Sequence, residues 1–418
     1  MIPTFNKISV IGLGYIGLPT AAVFANRGVD VIGVEVDPKK VEVINQGDIP
    51  IEEPDLDVMV RSAVGAGSLR ATTTPEPAEA FMVAVPTPLT CDHKPDVSYV
   101  ESAAEMIAPV LEKGNLVVLE STSPVGTTEM MAAKLAELRP DLSFPQDAGS
   151  EADVNIAYCP ERVLPGRILF ELVNNDRVIG GMSARCSERA AALYKTFVSA
   201  ECIPTTVRTA EMAKLVENSF RDVNIAFANE LSVICETHDV NVWELIALAN
   251  RHPRVNILQP GPGVGGHCIA VDPWFIVDGD PENARIIRTA REINDAKPQR
   301  VADQVNALVS GMEKPTIACL GLAFKADIDD LRESPAVTVV NMLASNENAH
   351  ILAVEPFVDT LPKELQGKSN VSLVDTTTAL DRADVIVLLV NHSQFRYISR
   401  SALQSKPVVD TRGMLELV

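Results

Sequence analysis

The chain has 418 residues, of which 46% are hydrophobic and 22% are charged, and its formal net charge at pH 7 is -20. This length exceeds what one hydrophobic core usually organises, so we expect two or three domains, and the apolar content excludes disordered and fibrous classes. The negative charge opposes binding to nucleic acid or to an anionic membrane, because both would repel the protein at long range.

The N-terminal stretch and the cysteines favour a reduced, cytoplasmic protein. MIPTFNKISVIGLG runs directly into a strand pattern without the organisation of a signal peptide, and no apolar run reaches membrane-spanning length. The seven cysteines are scattered and lack CxxC pairing, so the sequence predicts neither a disulfide framework nor a bound metal.

Short apolar runs alternate with helix-length amphipathic stretches through the first half of the chain. The runs are ISVIG (8–12), VIGVEV (31–36), FMVAV (81–85), LVVLE (116–120) and VNIAY (154–158). This alternation predicts a doubly wound parallel sheet with helices on both faces. We assign residues 1–205 to this first domain.

The GLGYIG motif predicts a Rossmann-like dinucleotide site in that domain. Gly12, Gly14 and Gly17 follow the first strand and open the helix that LPTAAVFANRG would form, where free N–H groups attract a pyrophosphate. The second strand ends in GVEVD, and an acid at this point favours NAD over NADP. We expect Glu35 to meet the ribose diol and Asp37 to cap the next helix.

The middle of the chain is predicted to be helical. Residues 209–238 contain no Gly or Pro and predict one long, largely buried helix, and NVWELIALAN (241–250) predicts another. Lys214, Asn218 and Arg221 form one polar stripe on the long helix, so we expect them to face a cavity. We assign residues 206–308 to this domain.

The glycine-rich stretch GPGVGGHCIAVDP (261–273) contains the candidate nucleophile Cys268. A thiolate can trap an aldehyde, release a second hydride and leave a thioester for water, so a thiol beside NAD suggests a four-electron oxidation. The alternative is a buried cysteine with a packing role. His267 would lower the thiol pKa, Asp272 would orient the thiol or a water, and a metal site of these three residues lacks spaced partners.

Two further polar groups fit catalytic roles. Lys214 would stabilise an oxyanion or exchange protons with a water, and Asn218 would hold that water or oxygen. Glu161 follows a strand end and is a candidate base; an ion pair with its neighbour Arg162 explains it equally well.

A second strand-first block predicts another doubly wound domain at 309–418. Its strands are TIACLGLAF (316–324), HILAVEP (350–356), ADVIVLLV (383–390) and PVVDTRG (407–413). The openings KISVIGLGYIG and PTIACLGLAFK are alike, which is consistent with a duplicated fold. The second opening lacks GxGxxG, so this domain should bind something other than the dinucleotide.

The ordered motifs of the whole chain resemble the nucleotide-sugar 6-dehydrogenases, which oxidise a UDP-hexose to a UDP-hexuronic acid with two NAD. The motifs are GLGYIG, AVPTP (84–88), ESTSPVGTT (120–128), CPERVLPG (159–166), NDRVIGG (175–181), AKLVENSFRDVNIAFANE (213–230), GGHCIAVDP (265–273) and GLAFKADIDDLRESPA (321–336).

The resemblance implies a role for each matching residue. Cys268 is then the nucleophile and Lys214 the acid/base or oxyanion partner, with Asn218 beside them. NAD would contact Tyr15, Ile16, Glu35, Thr87, Thr128 and Arg332, although relatives usually carry Asp in place of Glu35. The UDP-sugar would contact Arg162, Val163, Lys214, Asn218, Arg221, Gly265, Phe324, Lys325 and Arg412.

The resemblance also implies a homodimer in which His252 and Arg254 complete the neighbouring substrate site. CPERVLPG, and Val271 where UDP-glucose enzymes usually carry Lys, favour UDP-N-acetylmannosamine as substrate, for bacterial surface polysaccharides. UDP-N-acetylglucosamine and UDP-glucose are the alternative sugars. A non-catalytic NAD and nucleotide-sugar sensor would not need the thiol, and a two-electron hydroxyacid dehydrogenase would not use the second α/β block.

Overall fold

The computed structural model describes residues 5–51, 53–164, 166–266, 268–404 and 406–414. The chain divides into two compact units, Met1–Glu217 and Asn218–Val418. In the described residues no helix has the length and apolar character needed to cross a bilayer.

The first unit is built on an eight-stranded sheet. Its strands are β1 (Lys7–Ile11), β2 (Asp30–Val34), β3 (Leu69–Thr72), β4 (Ala80–Val83), β5 (Leu116–Leu119), β6 (Asn155–Tyr158), β7 (Arg177–Gly181) and β8 (Cys202–Thr206). Its helices are α1 (Gly17–Asn26), α2 (Pro38–Asn45), α3 (Leu56–Gly65), α4 (Ser98–Ile107), α5 (Thr127–Leu138), α6 (Pro145–Ala148), α7 (Ile168–Asn174) and α8 (Ala184–Tyr194).

The strand order of this sheet is β3-β2-β1-β4-β5-β6-β7-β8. Neighbouring strands are parallel except β6 and β7. The chain winds from β1 to β3 in one direction and from β4 onward in the other, so the order reverses between β1 and β4. Ligands of doubly wound sheets bind beyond the carboxyl ends of the strands at such a switch point.

Both faces of the first sheet are covered, which explains why its central strands are continuous apolar runs. Val10 and Val118 pack into the core on one face. Their neighbours Ile11 and Val117 pack into the core on the other face. Successive residues of a strand point to opposite faces, so a strand buried on both sides cannot alternate with polar residues.

The long helix α9 (Val207–Thr237) starts in the first unit and continues into the second. The second unit continues with α10 (Val242–Ala249), α11 (Asp272–Gly279), α12 (Arg285–Val309), β9 (Thr316–Leu320), α13 (Pro335–Leu343), β10 (His350–Val354), β11 (Val371–Leu373), α14 (Thr376–Arg382), β12 (Val385–Leu388), α15 (Arg400–Gln404) and β13 (Val408–Asp410).

Buried polar pairs join α9 to α12. Arg291 Nη1 donates to Asp222 Oδ1 over 2.6 Å, and both side chains are almost fully buried. Asn294 Nδ2 donates to the same oxygen over 2.8 Å, and Lys297 Nζ donates to Ser232 Oγ over 2.6 Å. Buried polar groups need such partners, so these pairs fix the alignment of the two helices.

The expectation that α9 is largely buried is wrong for one of its faces. Phe220, Phe227 and Ile234 lie seven residues apart and are 68%, 51% and 45% exposed. Residues at this spacing share one helix face, so they form an apolar stripe that the chain itself leaves open.

The second unit contains a five-stranded parallel sheet of order β11-β10-β9-β12-β13. This order repeats that of the first five strands of the chain. The loops after β1 and β9 are also alike: Gly12 and Gly321 both have φ of 92°, and each donates its N–H over 2.8 Å to the last residue of the neighbouring strand. The predicted duplication is therefore confirmed.

All nine strands predicted from apolar runs are present, and the fold class is confirmed. Within the described part of the chain, the structure adds four strands that the sequence did not reveal: β3, β7, β8 and β11. The domain boundaries after residues 205 and 308 stay predictions.

Candidate functional site

The GLGYIG loop has the geometry of a dinucleotide site. A Cβ at Gly12 would lie 2.7 Å from the carbonyl oxygen of Ala84, and one at Gly17 would lie 1.8 Å from that of Gly12. A Cβ at Gly14 would meet no heavy atom within 4 Å, so the loop is open where a pyrophosphate would approach. Among the described side chains none caps the start of α1, and the N–H of Leu18 in its first turn donates to the carbonyl of Gly14.

The two acids after β2 have different partners. Glu35 is buried, and its carboxylate accepts from the N–H groups of Leu13 (3.3 Å) and Asp37 (3.2 Å). Asp37 accepts from the N–H of Lys39 at the start of α2, which confirms its predicted capping role. Glu35 thus ties the glycine loop to the end of β2, where a ribose diol would lie.

The predicted cofactor residues Thr87 and Thr128 are held by internal hydrogen bonds. Thr87 donates its hydroxyl to the carbonyl of Thr122. Thr128 is fully buried, and both its N–H and its hydroxyl donate to Glu211 Oε1 over 2.8 and 2.6 Å. Glu211 Oε2 accepts from the N–H of Gly126, so this carboxylate covers the N-terminus of α5.

Glu211 was not predicted, although it lies on α9 one turn before Lys214. Burial raises the pKa of Glu211, while the three hydrogen bonds from Thr128 and Gly126 oppose this rise. The sequence did contain one signal for Glu211, because an acid lies on the same helix as the candidate cation Lys214.

Glu161 is paired with Arg177 and not with the side chain of Arg162. Arg177 Nη1 lies 2.5 Å from Glu161 Oε2, and both side chains are buried. Arg162 donates its backbone N–H to Glu161 Oε1, while its guanidinium contacts Glu217 and the carbonyl of Asp176. Glu161 thereby anchors the loop that presents Arg162, and Val163 beside it is half-buried.

A buried group of titratable side chains lies beside this pair. Tyr194 donates to Glu120 Oε1 over 2.6 Å. Burial and the nearby Glu161 raise the pKa of Glu120 to about 7. Burial also raises the pKa of the Cys159 thiol to about 12, which makes Cys159 a poor nucleophile at neutral pH.

The polar stripe of α9 runs from a buried to an exposed position. Lys214 is 9% exposed, Asn218 is half-buried and Arg221 is exposed. Lys214 therefore has the sheltered environment that was predicted for it, while Arg221 does not.

Cys268 is exposed, and its carbonyl accepts from the N–H groups of Val271 and Asp272 in the turn that leads into α11. Asp272 is buried and accepts from Asn218 Nδ2 over 2.5 Å. The structure therefore brings together three predicted catalytic residues: the backbone of Cys268 with Asp272, and Asp272 with Asn218. The predicted role of His267 falls outside the described residues.

The glycines before Cys268 allow close contact with predicted substrate residues. A Cβ at Gly265 would lie 2.3 Å from the carbonyl of Glu333, and one at Gly266 would lie 3.1 Å from the ring of Phe324. A Cβ at Gly261 would lie 2.7 Å from Arg412 Nη1. Burial lowers the pKa of Arg412 to about 10, so the group is still a cation at neutral pH.

The remaining predicted residues are accessible. Lys325, His252 and Arg254 are exposed, as is Tyr15, and Ile16 is half-buried. Arg332 makes a two-pronged ion pair with Asp330. If Arg332 contacted NAD, its guanidinium would have to bind NAD and the Asp330 carboxylate together.

Each unit by itself carries groups suited to one part of an oxidation. The first sheet offers an open glycine loop for a dinucleotide, and the second unit offers an exposed thiol with an amide and a carboxylate beside it. Cations for a diphosphate are present in a protein that is acidic as a whole.

Three family models match consecutive parts of the chain. They describe the UDP-glucose/GDP-mannose dehydrogenase family: its NAD binding domain at 6–198, its central domain at 208–296 and its UDP binding domain at 318–417. Together they span most of the chain.

Similar proteins of comparable length include dehydrogenases named for different sugars. The chain is 62% identical to an NDP-N-acetyl-D-galactosaminuronic acid dehydrogenase of Ralstonia nicotianae, over 98% of this chain and 96% of that protein. It is also 62% identical to a UDP-N-acetyl-D-mannosamine dehydrogenase of Yersinia pestis, over 98% and 99%. A solved UDP-D-ManNAc dehydrogenase of Pyrococcus horikoshii superposes with a TM-score of 0.86 at 37% identity, covering 98% and 96%.

Proposed function

Because the chain belongs to the UDP-glucose/GDP-mannose dehydrogenase family and is an NAD-dependent oxidoreductase, we propose that it oxidises C6 of UDP-N-acetyl-D-mannosamine to the carboxylate. The reaction consumes one water and two NAD for each sugar. The observation that carries the proposal is the exposed Cys268, whose turn leads into the buried Asp272 that Asn218 contacts.

NAD bound at the glycine loop would supply the hydride acceptor for both oxidations. Gly12, Gly14, Gly17 and Glu35 would hold it, with Tyr15, Ile16, Thr87 and Arg332 as further contacts. The predicted contact Thr128 is fully buried against Glu211 in this structure and would first have to become accessible. The opening above Gly14 fits a pyrophosphate, since a Cβ there meets no other atom within 4 Å.

Cys268 retains the substrate between the two oxidations. After the first hydride leaves, the thiolate adds to the C6 aldehyde to form a thiohemiacetal. Loss of the second hydride gives a thioester, and water then cleaves the C–S bond, which yields the carboxylate and returns the thiol. No free aldehyde is released.

Lys214 and Asn218 act on the oxygen of these intermediates. Lys214 is a sheltered cation that stabilises the oxyanion or exchanges a proton with the attacking water. Asn218 is oriented by its hydrogen bond to Asp272, so its amide is held in one direction. The role of Glu161 as a base stays a prediction, and its ion pair with Arg177 supports a role in positioning Arg162.

The UDP-sugar is bound by Arg162, Val163, Arg221, Gly265, Phe324, Lys325 and Arg412. The preference for N-acetylmannosamine is supported by the Yersinia pestis relative and by Val271, where UDP-glucose enzymes usually carry Lys. The Ralstonia relative makes an N-acetylgalactosamine-type sugar the first competitor to test. The product would supply a bacterial surface polysaccharide made from cytoplasmic precursors.

The functional form is proposed to be a homodimer. The apolar stripe of Phe220, Phe227 and Ile234 on α9 is exposed in the single chain and would be buried against a second copy. His252 and Arg254 are also exposed and would reach the substrate of the partner. Sedimentation equilibrium of the purified protein tests this assembly.

The deciding experiment counts NADH formed from limiting amounts of UDP-N-acetylmannosamine, UDP-N-acetylgalactosamine, UDP-N-acetylglucosamine and UDP-glucose. The proposal requires two NADH per UDP-N-acetylmannosamine and little from the other sugars. One NADH per sugar would contradict the four-electron reaction, and preference for another sugar would contradict only the specificity.

Replacement of Cys268 by Ser tests the thioester step. Cys268→Ser should bind NAD and the UDP-sugar with unchanged affinity and should lose steady turnover, because an alkoxide is not available at neutral pH in place of the thiolate. Cys91 is also exposed and is the matched control, so Cys91→Ser should keep full activity. Unaltered turnover in Cys268→Ser would exclude the mechanism.

A further inference from the structure

The two doubly wound sheets place different residues at equivalent positions. Glu35 directly follows the last residue of β2, and Glu355 directly follows the last residue of β10. Thr87 lies four residues after the end of β4, the strand that pairs with β1, and His392 lies four residues after the end of β12, the strand that pairs with β9. Thr87 and His392 are therefore equivalent as well. The second sheet therefore carries a histidine where the first carries a predicted cofactor residue.

Glu355 is bound on several sides by its own domain. Its Oε2 accepts from the N–H groups of Leu322 (2.7 Å) and Ala323 (2.9 Å) and lies 3.1 Å from His392 Nε2. Both side chains are fully buried. Burial opposes ionisation of Glu355, but the combined effect of His392 and of the N–H groups of Leu322 and Ala323 outweighs it and lowers the pKa of Glu355.

The other ring nitrogen of His392 holds the same loop further along. The N–H of Asp327 donates to His392 Nδ1 over 3.0 Å, so Nδ1 is an acceptor and Nε2 carries the proton that Glu355 accepts. Asp327 Oδ1 in turn accepts from the N–H and hydroxyl of Ser393 over 2.8 and 3.0 Å. His392 thus fastens the loop at both ends, at 322–323 through Glu355 and at 327 directly.

Phe324 and Lys325 lie between these two attachment points. A Cβ at Gly266, two residues before Cys268, would lie 3.1 Å from the Phe324 ring, so the ring leaves room only for glycine there. Lys325 is exposed. A loop held on both sides presents these side chains in one arrangement, which lowers the entropy lost when a ligand binds.

We propose that His392 is a positioning residue for the uridine diphosphate part of the substrate, acting through the 322–327 loop. This inference rests on the proposed function for the identity of the ligand. In the first sheet the equivalent acid Glu35 lies where a ribose diol would bind. In the second sheet the histidine engages the equivalent acid Glu355, so that this carboxylate holds the loop instead.

Three variants separate the two hydrogen bonds of the ring. His392→Ala removes both, His392→Asn keeps an acceptor at the position of Nδ1 for the Asp327 N–H, and His392→Gln keeps a donor at the position of Nε2 for Glu355. His238 is exposed at the end of α9, and His238→Asn is the matched control. Thermal melting of each variant reports whether it folds.

Titration of UDP alone by calorimetry measures the effect without turnover. We expect His392→Ala to bind UDP about tenfold more weakly, with His392→Asn and His392→Gln between it and the unaltered protein. NAD affinity should be unchanged in all of them. Steady-state kinetics should show the same increase in KM for the UDP-sugar, with kcat and KM for NAD within about twofold of the unaltered protein.

The outcomes separate this inference from the proposed function. If UDP binds equally to His392→Ala and the unaltered protein, or if NAD affinity falls in parallel with UDP affinity, the positioning role is wrong. If UDP binding weakens as expected but no UDP-sugar yields NADH even with the unaltered protein, the inference stands and the proposed oxidation fails.

Discussion

The buried carboxyl of Glu120 should make the stability of the first unit depend on pH. Its pKa is about 7 instead of 4.5, chiefly because of burial and then because of the nearby Glu161. The folded protein therefore keeps a proton that the unfolded chain loses above pH 4.5, so the free energy of unfolding falls as pH rises from 4.5 to 7. At 1.36 kcal/mol per pH unit this loss amounts to about 3 kcal/mol.

Glu120→Gln isolates this contribution. The amide oxygen can still accept from the Tyr194 hydroxyl, which lies 2.6 Å from Glu120 Oε1, but the side chain no longer titrates. The stability of the variant relative to the unaltered protein should therefore increase by about 3 kcal/mol between pH 4.5 and pH 8. The difference should level off above pH 7.

Hydrogen exchange of the β5 amides in increasing urea is the appropriate assay. It reports the opening of the first sheet separately from the second unit, where both tryptophans lie. The exposed Glu137 supplies the control Glu137→Gln, which should show no comparable dependence on pH. A stability difference between Glu120→Gln and the unaltered protein that stays constant from pH 4.5 to 8 would refute the reasoning.

Two further predictions concern the first unit. Gly17→Ala should destabilise the protein by about 1–3 kcal/mol, because its Cβ would lie 1.8 Å from the carbonyl oxygen of Gly12, whereas Gly14→Ala should keep the melting temperature and weaken NAD binding about tenfold. Equal melting temperatures for the two variants would contradict this prediction. Asp37→Ala should lower the free energy of unfolding, measured in urea, by about 1 kcal/mol because α2 loses its cap, and NAD affinity should be retained. A large loss of NAD affinity would instead make Asp37 the cofactor ligand.

The sequence predicted the buried strands and the edge strand β13, and it missed four strands that lie at or near sheet edges. β5 is buried at all four positions, so its residues form an apolar run. The edge strand β8 has no fully buried residue and contains Pro204, which an edge position tolerates. The missed edge strands β3 and β11 are only four and three residues long. Such strands lack an apolar run because only part of their surface is covered.

Site partners were harder to predict than site residues. Glu161 was predicted as a candidate base with an ion pair to the adjacent Arg162 as the alternative, whereas the fold supplies its cation, Arg177, from β7. Glu211 was missed because its partners, Gly126 and Thr128, are more than eighty residues away in the chain. Local spacing identifies residue types suited to chemistry, but tertiary packing decides which of them meet.

The duplicated sheets also explain how one chain can treat two nucleotides differently. In the first sheet α1 starts six residues after β1 ends, and Gly14 leaves its loop open. In the second sheet α13 starts only at Pro335, fifteen residues after β9 ends, and the buried Ala323 replaces the open glycine. The helix N-terminus and the open loop that favour a dinucleotide pyrophosphate are therefore not adjacent in the second sheet. The longer loop carries Phe324 and Lys325, and its lack of an open glycine beside a helix N-terminus is consistent with the match of this region to the family's UDP binding domain.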